Sequence, residues 1–119
     1  MQEYYHKDLD RAINLTLKDR DYGQAMYIAL RTFMATRSLD PDPDLVEKSR
    51  RFIHILERMI ELDFEAQARI EGIKFTPENK TQLMRQYSPH WQKFDSYLRP
   101  GGMQRYDFRY ITPLTFSPN

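Results

Sequence analysis

The chain contains no cysteine, only four glycines, one tryptophan and three histidines. The missing thiols remove disulfides, thiolate metal ligands and thiol nucleophiles together, and are compatible with a reducing compartment. So little glycine leaves no phosphate-cradling loop. Gly101-Gly102 reads as a turn, and no Gly-x-Ser-x-Gly elbow is present. No stretch approaches the ~20 apolar residues of a transmembrane helix. The opening residues, MQEYYHKDLDRA, are charged and lack an apolar run, so neither a secretory signal nor a membrane anchor is expected, and the location expected is cytoplasmic. A net charge of +1 provides no general attraction to nucleic acid or to a membrane.

What is present fits one globular domain. A chain of 119 residues with 40% hydrophobic and 29% charged side chains can bury ~65% of the surface it exposes when unfolded. The longest patterned stretch is Asp42 to Gly72. Asp42 or Asp44 can cap free amides, Pro43 suits a first helical position, and Gly72 can supply a left-handed stop. Two apolar stripes run along it. Val46, Ile53, Leu56 and Ile60 form one, and Phe52, Ile55, Met59, Leu62 and Ala66 form an adjacent one. This pattern predicts a long central helix, with His54, Arg58, Glu61, Glu65 and Arg69 as its solvated strip.

Before it, Tyr5, Leu9, Ala12, Ile13 and Leu17 predict a first helix over about 3–18. Asp21 and Gln24 have capping-box spacing and open a second helix, to about Ser38, that buries Tyr22, Met26, Ala29, Leu30 and Phe33. Asp40-Pro41 ends it. Asp21-Tyr22, Ala25 and Asp40-Pro41 resemble the second helix of a tetratricopeptide repeat. The interval from Asp21 to Pro41 is about one turn longer than in that family and no 34-residue copy follows, so none of its function is carried over. Beyond Gly72, Thr76-Pro77-Glu78 and Ser88-Pro89 are helix starts. They predict two short helices with Leu83, Met84 and Tyr87, then Trp91, Phe94 and Leu98, on their apolar sides. The period-two pattern Arg105 to Ile111 after Arg99-Pro100-Gly101-Gly102 predicts an extended segment.

Charge and aromatics are unevenly distributed. Residues 1–73 carry 11 Lys/Arg against 14 Asp/Glu, whereas residues 74–119 carry 7 against 3 and hold nine of the sixteen aromatics. Arg interleaved with Tyr and Phe suits a segment that clasps a protein partner, which singles out Arg105, Tyr106, Phe108, Arg109, Tyr110 and Trp91. The same tail could follow a phosphate backbone through Lys80, Arg85, Lys93, Arg99, Arg105 and Arg109 while rings stack on bases. Trp91, Phe94 and Leu98 at helical spacing suit a packed core better than a stacking platform.

Catalytic patterns are sparse. Glu3-x-x-His6 has the spacing of a di-iron bundle ligand pair, but only the reversed His54-x-x-Glu57 could answer it within one chain. His90 could exchange a proton with Asp95 or Glu78, yet no spacing ties it to a nucleophile. No metal, cofactor or catalytic residue is expected. The sequence therefore predicts an all-α, up-down bundle of three main helices with two short ones over 1–99 and an extended C-terminal arm over 100–119. Its expected role is that of a non-enzymatic adaptor, regulatory or assembly protein that binds another protein or its own copy, with a nucleic-acid-binding regulator as the alternative.

Overall fold

In a computed structural model, residues 2–98 are described. They are all-helical, without strands, and comprise α1 (Gln2–Asn14), α2 (Tyr22–Met34), α3 (Pro43–Glu71), α4 (Lys80–Tyr87) and α5 (Pro89–Tyr97). The predicted arm over 100–119, with Arg105, Tyr106, Phe108, Arg109 and Tyr110, lies outside the described residues, as does Arg99.

The helix ends follow from local chemistry. The Asp42 carboxylate accepts from the Leu45 amide at 3.2 Å, Pro43 occupies the first turn, and Gly72 closes α3 at φ 72°. Asp21 accepts from the Gln24 amide to open α2, and Ser88 accepts from the Trp91 amide to open α5. α4 starts later than Thr76-Pro77-Glu78 predicts. Thr76 and Asn79 bond each other reciprocally, the Asn79 amide to Thr76 Oγ1 and the Thr76 amide to Asn79 Oδ1, which holds residues 77–79 as a turn.

Both α1 and α2 end in π-helical turns, Leu15–Asp19 and Ala35–Leu39. Thr16 and Thr36 mark them, each donating its hydroxyl to the carbonyl four residues back, Ala12 and Thr32. The wider turn corrects the predicted apolar face of α1. It rotates the residues after Asn14, so Thr16 is buried while Leu17 is 72% exposed.

α2, rather than α3, is the helix around which the others gather: α1, α3 and α5 all pack on it. Nine of its thirteen residues are buried, including Ala25, Met26, Ile28, Ala29, Leu30 and Phe33, as expected of a helix that is apolar on nearly every side. Gly23 permits the α2–α5 crossing, since a Cβ there would meet the His90 carbonyl oxygen at 2.5 Å. α1 is clipped to α2 by the buried Asp8, which accepts from Arg31 Nη2 at 2.9 Å. α3 contributes Leu45, Ile53, Leu56, Ile60, Phe64 and Ala68 to the interior, all at or below 1% exposure. No described helix is both long and apolar enough to cross a membrane.

Candidate functional site

The second stripe of α3 separates into a half-covered end and an uncovered run. At its N-terminal end Phe52 and Ile55 form one wall of a groove of about 380 Å³, opposite Leu9 and Ile13 of α1. His6 and Asp10 line the groove from α1, and Lys48 and Arg51 from α3. The sequence explains the gap. α1 turns Asp8, Leu9 and Ala12 inward, where Asp8 meets Arg31, and leaves Ile13 half-buried beside α3.

From the groove the stripe continues in steps of three and four residues through Met59, Leu62 and Ala66 to Ile70. Ile55 is 53% exposed, Leu62 48% and Ile70 85%. Water contact at these side chains is unfavourable by roughly 25 cal/mol for each Å² of apolar surface left exposed. Between them Met59 and Ala66 are half-buried.

The opposite flank of α3 is polar and occupied. Lys80 Nζ of α4 lies 2.9 Å from Glu61 Oε2 and 2.5 Å from Glu65 Oε2, and 5.6 Å from the Phe75 ring centre. Burial alone would raise the Glu61 carboxyl. The bonds from Lys80 and Arg58 outweigh it and hold the carboxyl below its ordinary value. Next to it Glu57, with a side chain only 13% exposed, is pushed up to about 8 by burial and by the Glu61 charge, against the opposing pull of Arg85.

No protein-family model, curated protein or solved structure matches this chain. The reading of the site therefore rests on its own geometry.

Among the residues singled out by sequence, Trp91 is 2% exposed and packs edge-on against Phe94 in the core. Lys80 is held by Glu61 and Glu65, Lys93 by Asp21, and the Arg85 guanidinium lies 5.7 Å from the Trp91 ring centre. Each of these three cations has a partner within the fold. The histidines are scattered. His6 is at the groove, His54 Nδ1 lies 3.8 Å from Glu57, and His90 Nε2 lies 3.2 Å from Asp63, not beside Asp95 or Glu78. Among the described residues no three His, Asp or Glu side chains converge as metal ligands. Sequence reasoning missed the α1 wall of the groove and Ile70. The signal for Ile70 was its position four residues beyond Ala66, one more step of the stripe.

Proposed function

We propose that this chain is a small, non-enzymatic adaptor, regulatory or assembly protein that works by protein–protein interaction and self-associates. The observation that carries this reading is the uncovered stripe of α3, continuous with the α1–α3 groove. Helices α1, α2 and α3 are proposed to form the up-down bundle that presents it. Ile55, Leu62 and Ile70 stand exposed along about 22 Å of helix, with the half-buried Met59 and Ala66 between them, and such a row is the kind of feature that marks an interaction site. A second copy is the simplest partner because it brings an identical uncovered stripe. One two-fold contact then buries both.

Sedimentation velocity over a range of loading concentrations tests this. The expected result is a mass that rises from one chain toward two with concentration. A single-chain mass at every concentration overturns the self-association.

A further inference from the structure

We infer that two copies pack their α3 helices antiparallel across the uncovered stripe, with Ile70 of each copy seated in the α1–α3 groove of the other. The inference rests on the self-association proposed above and specifies its geometry.

The register follows from the spacing of the stripe. Phe52, Ile55, Met59, Leu62, Ala66 and Ile70 are separated by three, four, three, four and four residues, a row that reads almost the same in both directions. A two-fold axis crossing α3 between Met59 and Leu62 pairs Met59 with Leu62, Ile55 with Ala66, and Phe52 with Ile70. Every apolar position of the stripe then meets another. Ile70, the most exposed large apolar side chain of the described residues at 85%, arrives at the partner copy's α1–α3 groove, between Phe52 and Ile55 on one side and Leu9 and Ile13 on the other.

Charge selects antiparallel over parallel. Lys48 and Arg51 line the groove, and Glu71 stands exposed beside Ile70, whereas Glu61 and Glu65 are engaged by Lys80 on the other flank. Antiparallel packing brings Glu71 and the C-terminal end of one helix dipole to Lys48 and Arg51 of the other copy. Parallel packing sets like ends side by side. The polar flank bearing Glu57, Glu61 and Glu65 is already covered in part by α4, which leaves the stripe side as the open approach.

The contact is modest in size. A stripe about 27 Å long and about 10 Å wide projects roughly 270 Å², below the ~800 Å² per partner of a standard interface. The groove wall from α1 has to join it. A dimer of this kind dissociates on dilution.

The absence of native cysteine makes the register directly testable in the full chain. Arg51→Cys and Ile70→Cys chains are prepared separately, mixed in equal amounts and treated with a short bis-maleimide. Sedimentation of an Ile70→Glu chain is measured alongside. The expected results are a covalent dimer in the mixture well above that in either chain alone, and a dimer dissociation constant raised roughly tenfold or more by Ile70→Glu. Because Ile70 is so exposed, circular dichroism of the variants serves as a folding control and is expected to be unchanged. A concentration-dependent dimer whose mixture shows no extra cross-link and whose affinity ignores Ile70→Glu overturns this register while leaving self-association standing. Efficient cross-linking of an Ile55→Cys chain with itself indicates a parallel pair and also overturns it. A chain that stays single at every concentration overturns both proposals.

Discussion

Two faces of the same helix carry nearly the same apolar chemistry and meet opposite fates. Ile53, Leu56, Ile60, Phe64 and Ala68 are sealed against the interior, while Ile55, Leu62 and Ile70, only a residue or two away along the chain, stand in water. Composition does not separate them. What does is the reach of α2, which packs along one side of α3, while α1 meets the other side only at the groove. The fold buries only one of the two apolar stripes that α3 carries.

The sharpest way to break the comparison is on the sealed face. Phe64 has no exposed surface and meets Phe75 with ring centres 5.5 Å apart. Phe64→Ala removes a large buried volume that neighbours refill only partly, so urea denaturation is expected to show a loss of about 3–5 kcal/mol. A loss below about 1 kcal/mol would mean that the interior ends of α3 and the residues after Gly72 are not packed as described.

The polar flank of α3, on the side away from the stripe, carries an ionisable group, and its effect is next in size. Glu57 binds its proton more tightly folded, with a value near 8, than unfolded, where the ordinary value is 4.5. Between those values the folded state holds the extra proton. Its stabilising contribution is therefore complete below the ordinary value and is lost as pH rises toward about 8, with a slope of at most about 1.4 kcal/mol per pH unit. Glu61, held low by Lys80 and Arg58, acts only below the ordinary carboxyl range and so does not fill this window. Urea midpoints measured from pH 5 to pH 9 are expected to decline for the native chain and to stay nearly level for Glu57→Gln. Parallel profiles would show that Glu57 is solvated and charged throughout.

Much of this frame was readable beforehand, for a physical reason: caps are local. Asp21, Asp42, Gly72 and Ser88 act on backbone groups within three or four residues, and each stands where its chemistry predicts. Readings that depend on rotation were less secure. Leu17 was displaced by a π turn, which leaves the hydrophobic period of the sequence unchanged. Phe64 and Ala68 were missed as core because the buried line on α3 drifts around the helix in steps of four. Ser49 was missed because its hydroxyl is satisfied within the helix, by the Leu45 carbonyl at 2.6 Å. The primacy of α2 rests on small residues, Gly23, Ala25 and Ala29, whose importance lies in what they let approach. The groove was illegible, since it depends on how far apart two helices lie.

The smallest effect on stability is expected on the open face, and its smallness carries the argument. Ile70 is 85% exposed and sits in the last turn of α3, so truncation leaves almost no cavity and removes few contacts within the chain. Alanine is also the better helix former, because it lacks the branched Cβ that restricts isoleucine. Ile70→Ala should therefore change the unfolding free energy at low concentration by less than about 0.5 kcal/mol, with either sign allowed. A loss above ~1.5 kcal/mol under those conditions would show that Ile70 is packed by its own chain, and the two faces of α3 would no longer differ in kind. If stability holds while association weakens, Ile70 serves binding and not folding, and the two faces of α3 differ in kind.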